Sequence, residues 1–385
     1  MIFCHLFSYF IWDIRSEFTI GSFSLRWNAV LIIAAYITSR QILFYIYRKE
    51  GKPITDAATF TTYLVIGALL GARLGHVILY QPELIWTEPL QIIFPFEFQP
   101  SFRFTGAGGF SVHGAALGIL ALIWLYNRKN KPGQKYFQLL DRTTISAAVA
   151  AFMILTGSML NSDITGKRTE SRTGTIFIKS VTKGLLQIPC CVMRIPGGPN
   201  PLRAIVAEKD ERDLKQSDGY QSVIIYLFFK PGASEKLVTE FLIGDVKNFL
   251  YERSQVVYEP GTRPLEYSIS RGTDGEYIGR IKTLGVPRYP VQVFEAISYL
   301  LLSVLLFLYW NTHKTSTQPA ALFGYFMTIF WALHFAYGFL KENETAVERA
   351  FDLCFVLLGI MSVLYSYQKS RRLLEVERGK NKRVT

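Results

Sequence analysis

One histidine, His113, lies in the Gly-rich stretch Thr105 to Gly118 and leads straight into the apolar run Ile119 to Tyr126. An imidazole where an apolar helix enters a membrane is costly unless it faces protein or water. Two readings follow, a working group or a helix–helix hydrogen-bonding residue. Other polar residues mark the apolar segments. Arg73 and His76 sit in Gly71-Ala72-Arg73-Leu74-Gly75-His76, and Asn161, Ser162 and Asp163 precede Gly166. Gln292 and Glu295 follow Pro287-Arg288-Tyr289-Pro290. His334 falls in the middle of a further apolar segment, between Leu333 and Phe335. Arg73 and Glu295 also fit an ion pair or interfacial snorkelling, and Asn161 and Asp163 a polar helix end at the water boundary. His334 needs a polar partner in either case. The four cysteines, Cys4, Cys190, Cys191 and Cys354, have no metal-ligand spacing, and the adjacency of Cys190 and Cys191 disfavours a disulfide between them. No metal or cofactor is expected.

The elements that hold these groups are membrane helices. Half of the 385 residues are hydrophobic and the mean hydropathy is +0.20, too apolar for one soluble domain. Seven segments approach the roughly 20 apolar residues of a spanning helix: about 25–47, 58–81, 110–127, 141–161, 290–311, 319–341 and 347–367. The fourth is weak, being rich in Ala, Thr and Ser. Met1 to Phe10 lacks the basic start and small-residue cleavage site of a signal peptide.

Basic residues alternate between loops. Arg48, Lys49 and Lys52 follow the first helix, Arg128, Lys129, Lys131 and Lys135 the third, and His313 and Lys314 the fifth. Lys369 to Arg383 forms a basic tail after the seventh. This places the N-terminus outside and the C-terminus in the cytoplasm. It also accounts for much of the net charge of +12 without a nucleic-acid partner. All the polar groups above except His334 then fall toward the outer half, where they could converge on one site.

Segment 168–288 has the composition of a soluble domain outside the membrane. Ser222 to Phe229 reads as a buried strand, broken by Pro231-Gly232. Ser234 reads as the N-cap of an amphipathic helix carrying Leu237, Val238, Phe241, Leu242, Val246 and Phe249. Further strands are expected at Gln255–Tyr258 and Leu265–Ser270. The expected fold is an α-helical polytopic membrane protein with about seven spans and a small inserted α+β extracytoplasmic domain. Residues 1–167 and 289–368 would form the membrane part, 168–288 the insertion and 369–385 the tail. The insertion carries no nucleophile–base pair, metal cluster or phosphate loop, so it is read as a binding or shielding module with a protein partner for 186–285.

These residues, in this order, resemble the prolipoprotein diacylglyceryl transferase family. The likeness covers about 20–185 and 286–368. It rests on Leu25-Arg26-Trp27, Gly71 to His76, Ser111-Val112-His113-Gly114 through Gly118, Asn161 to Gly166 and Pro290-Val291-Gln292-Val293-Phe294-Glu295. The resemblance implies a seven-helix bacterial inner-membrane enzyme. It would move diacylglyceryl from phosphatidylglycerol to the lipobox cysteine of a prolipoprotein, with both substrates as partners. His113, Asp163 and His334 would then be catalytic, with His113 as general base. Arg73, Gly114, Asn161, Gly166, Gln292 and Glu295 would bind substrate.

The chain also departs from that family's pattern. The helix-four signature Arg-x-Gly-Asn-x-x-Asn-x-Glu-x-x-Gly here has Leu155 for its arginine, Ser158 for its first asparagine and Asp163 for its glutamate. An Arg-x-x-x-Glu on helix six is replaced by His334 and Gly338, and Asn28 and Tyr289 stand for a tyrosine and a histidine. The leaving group is a glycerol phosphate anion, which a guanidinium stabilises and Leu155 does not. Losing one such contact costs on the order of 3 kcal/mol of barrier. The expectation is therefore a degenerate, inactive relative that binds lipid or lipoprotein. The alternatives are a divergent transferase using His113 and His334, or one acting on another lipid.

Overall fold

The computed structural model describes residues 9–14, 17–20, 23–87, 89–92, 96–97, 103–104, 109–162, 166–171, 174–188, 200–210, 219–272, 274–313 and 318–381. The chain divides into two compact units. One comprises Ala29–Thr156, Phe294–Phe339 and Asn343–Thr385; the other comprises Met1–Asn28, Gly157–Val293 and Leu340–Glu342.

Among the described residues there are seven long helices: α1 (Trp27–Lys49), α2 (Ile54–Tyr80), α3 (Val112–Asn127), α4 (Tyr136–Leu160), α5 (Val291–His313), α6 (Ala321–Gly338) and α7 (Ala346–Asn381). Six are long and apolar enough to cross a membrane, and α3 is a shorter apolar helix of 16 residues. This is the polytopic helical architecture expected. The weakly apolar α4 is nonetheless a full 25-residue helix. Its hydroxyls bond to carbonyls of the preceding turn, Thr143 to Leu139 at 2.9 Å and Ser146 to Thr143 at 2.8 Å, and so are satisfied without leaving the helix. The core of the helical unit is aromatic, with Tyr47, Phe60, Tyr126, Tyr299 and Trp331 almost fully buried.

The other unit is built on a sheet of β1 (Leu202–Lys209), β2 (Gln221–Phe229), β3 (Val257–Tyr258), β4 (Glu266–Arg271) and β5 (Tyr277–Gly285). Its order is β4-β5-β2-β1, all neighbours antiparallel, with β3 pairing the end of β5. The expected strand at Ser222 is β2, at the centre and almost wholly buried. The Ser234 side chain caps the following helix at the Leu237 amide (3.2 Å), and that helix continues through a π turn, Leu242–Val246, to Glu252. It lays Val238, Phe241, Leu242, Val246 and Leu250 onto Ile225, Leu227 and Ile281. Phe10–Ile11 pairs in parallel with Thr175–Ile176, tying the start of the chain into this unit.

Candidate functional site

Two seams of glycine assemble the polar cluster of the helical unit. On α2, Gly67, Gly71 and Gly75 recur every four residues, and on α3 Gly114 and Gly118 do the same. A Cβ on Gly71 would lie 2.7 Å from the Gly118 Cα, and one on Gly114 2.7 Å from the Gly75 Cα. Only backbones without side chains approach so closely, the small-residue packing that membrane helices use. The Ser111 amide also bonds to the Ala72 carbonyl at 3.0 Å. The Ser111 side chain accepts from the Gly114 amide at 3.3 Å and caps α3. His113 is thereby fixed in the first turn of α3. A second seam joins α6 and α7, where a Cβ on Gly359 would lie 2.5 Å from the Thr328 nitrogen. Thr345 and Glu348 open α7 with reciprocal bonds, Thr345 N to Glu348 Oε2 at 2.8 Å and Glu348 N to Thr345 Oγ1 at 3.2 Å.

The seams bring three side chains together. His113 Nε2 lies 2.8 Å from Asp352 Oδ1. His334 Nδ1 lies 3.0 Å from Asp352 Oδ2 and 3.1 Å from Oδ1. The Asp352 side chain is fully buried, His113 is 2% exposed and His334 12%. His113 stacks on Trp331 with ring centres 5.0 Å apart and lies parallel to Phe355 at 6.3 Å.

An ionised carboxylate only accepts hydrogen bonds, so both rings turn an N–H toward Asp352. That fixes the His113 tautomer and leaves its lone pair on Nδ1. Nδ1 is buried and has no hydrogen-bond partner among the described residues. An imidazole held in this way with a free lone pair is a proton acceptor. The ligand atoms of His113, His334 and Asp352 all lie within 4.8 Å of one another and could also hold one metal ion. At 2.8–3.1 Å, however, they stand as a hydrogen-bonded triad.

The expected site residues divide between the two units. His113, His334, Arg73, Gly114 and Glu295 belong to the helical unit, and Asn161, Gly166 and Gln292 to the other. His334 is not mid-helix as expected; α6 ends at Gly338, so His334 lies in its last turns, where α7 begins and Asp352 can meet it. Gly114 forms the α2–α3 seam. The Arg73 Nε donates to the Ile92 carbonyl at 3.2 Å. Glu295 and Gln292 are each 2% exposed. Asn161 continues the turn at the end of α4, its amide bonding to the Gly157 carbonyl at 2.9 Å. Gly166 meets the Tyr289 backbone, where a Cβ would lie 2.9 Å from the carbonyl carbon, and its own carbonyl accepts from Arg288 at 2.9 Å. Asp163 lies outside the described residues. Leu155 packs against the apolar core of the helical unit. The Glu344 carboxylate covers Gly338, where a Cβ would lie 2.5 Å from the Glu344 Cδ.

Asp352 escaped the sequence reading. Its signal was an aspartate among Phe351, Leu353, Cys354 and Phe355 in an apolar segment, a placement functional by default.

The family model for prolipoprotein diacylglyceryl transferase matches residues 15–366. The chain belongs to this family. A phosphatidylglycerol–prolipoprotein diacylglyceryl transferase of Tolumonas auensis is 25% identical over 361 residues, covering 92% of this chain and 95% of the relative. The enzyme of the same name from Chloroherpeton thalassium is 31% identical over 173 residues, 45% of this chain and 60% of that relative. The one from Campylobacter curvus is 33% identical over 161 residues, 41% and 58%. With its spanning helices, this member of the prolipoprotein diacylglyceryl transferase family is a multi-pass protein of the bacterial inner membrane.

Proposed function

We propose that the chain transfers diacylglyceryl from phosphatidylglycerol to the lipobox cysteine of prolipoproteins, with His113 as the base. The observation that carries this reading is the grip of Asp352 on both histidines, which leaves His113 Nδ1 open. The thiol proton passes to Nδ1 as sulfur attacks the glyceryl carbon. The S–C bond forms, the C–O bond to phosphate breaks, and the electron pair leaves with glycerol phosphate. His334 shares the carboxylate, in a position where the family resemblance has arginine. Asp163 and the substrate-binding roles of Arg73, Gly114, Asn161, Gly166, Gln292 and Glu295 belong to the same proposal. So does the outward N-terminus, supported by the clustering of loop cations and their partners, Lys131 with Asp56 and Arg142 with Glu50, at one end of the helical unit.

Leu155 favours a second reading, a relative that binds lipid and prolipoprotein without turnover and works through a protein partner of 186–285. Its side chain joins the apolar core and offers no charge to a phosphate. Purified protein given phosphatidylglycerol and a lipobox peptide separates the two. Thioether product that disappears in His113→Ala and falls steeply in His334→Ala supports transfer. Bound lipid with no product in the wild-type chain leaves the silent reading standing.

A further inference from the structure

The Tyr299 hydroxyl is a further buried polar atom of the helical unit. Tyr299, on α5, is 1% exposed, and its hydroxyl has no hydrogen-bond partner among the described residues. Its ring is held face to face on Phe330 of α6, centres 4.2 Å apart at 19°. Phe330 abuts Trp331 at 5.3 Å, and Trp331 stacks on His113. One aromatic row therefore fixes both Tyr299 and His113. The charge of Glu295, one turn earlier on α5, reaches the Tyr299 hydroxyl first, followed by those of Asp352 and Glu344. The nearby Tyr337 hydroxyl is already bonded to Ser298 at 2.8 Å.

A hydroxyl buried without a partner costs stability, and phenylalanine would fill the same space without that cost. In a site without the helix-four guanidinium, an unmatched donor fixed by the same row as the base has a use. We propose that the Tyr299 hydroxyl contacts substrate, donating a hydrogen bond to the phosphate-side oxygen of the phospholipid on which charge builds as the C–O bond breaks. This rests on the transfer reading above, in which His113 takes the thiol proton and the electron pair departs with the glycerol phosphate. Tyr299 moves no proton; it stabilises the departing oxygen as a fixed neutral donor.

The test is Tyr299→Phe in the full-length protein, with three readouts: thermal unfolding, transfer kinetics, and binding of phosphatidylglycerol against 1,2-diacylglycerol, which lacks the phosphate. The expected result is an unchanged or higher Tm and a kcat lowered ten- to hundredfold with little change in KM. Phosphatidylglycerol binding should be the same or weaker, and diacylglycerol binding the same. Wild-type kcat in the variant overturns the proposal, as does equal loss of both lipids with a lowered Tm, which would make the residue structural. If the wild-type chain itself gives no product, the transfer reading fails and lipid binding decides. Phosphatidylglycerol weakened at least tenfold with diacylglycerol unaffected then supports the contact, and any other pattern overturns it.

Discussion

Two polar clusters of the helical unit are finished differently. In the first, at the basic loops, every carboxylate has at least two donors. Glu50 takes Arg142 through Nε at 2.7 Å and Nη2 at 2.6 Å, and Trp310 at 3.4 Å. Asp56 takes Lys131 and Gln134, and Gln134 accepts from Tyr47 at 3.2 Å. Asp141 receives the Ala320 and Phe323 amides, both at 2.8 Å, and so closes the start of α6. Arg142 Nη1 is the atom left over there. In the second cluster Asp352 is equally well matched, yet the groups around it are not: His113 Nδ1 and the Tyr299 hydroxyl face no protein partner among the described residues. Buried polar groups that serve architecture close on one another, because an unmade bond is expensive in a low dielectric. On the transfer reading, the groups left open in the aromatic frame are the ones that meet substrate.

Breaking each cluster should have opposite signatures. Asp352→Asn keeps the shape but no longer imposes one tautomer on His113, and transfer is expected to fall about a thousandfold or more with the helices still folded. Turnover and circular dichroism on the same sample check this. Arg142→Ala strands Glu50, with its side chain 19% exposed. It is expected to cost about 3–5 kcal/mol of stability, seen in thermal unfolding, while the turnover of folded molecules stays near wild type. Asp141→Ala uncovers two amides at the start of α6 and is expected to cost about 1–2 kcal/mol by the same measurement.

The smallest effect sharpens the comparison from the sheet-bearing unit. Glu259, in the sheet-bearing unit, is held above the usual carboxylate range by burial, opposed by the Thr283 hydroxyl at 2.8 Å. The folded state then binds this proton more tightly than the unfolded chain. Its contribution to stability is present below the ordinary glutamate pKa and lost as pH rises through the raised one. Glu259→Gln should flatten that fall, with a slightly higher Tm than wild type at pH 7 and none at pH 4.

The seven apolar runs were readable because spanning helices write their length directly into composition. Strand β2 and the Ser234 cap were readable from an unbroken apolar run and a capping residue. Strand β5 was not, since Gly279, Thr283 and Gly285 occupy its buried face and hide the alternation. Of the cluster, His113 and His334 were visible as ionisable residues in apolar segments. Their joining through Asp352 was not, because it depends on which faces the two glycine seams turn inward, and a single helix pattern does not specify its neighbour.

The length of α3 has a mechanical consequence. Sixteen residues reach about 24 Å, roughly 6 Å less than a hydrocarbon core of about 30 Å. Its far end is anchored by the Arg128 guanidinium over Trp124 at 4.1 Å. A shortfall of this kind is met by local thinning of the bilayer, which brings lipid headgroups toward the helix ends. On the transfer reading, bilayer thickness itself becomes a variable of the reaction, because it sets how near the headgroups come to the first turn of α3.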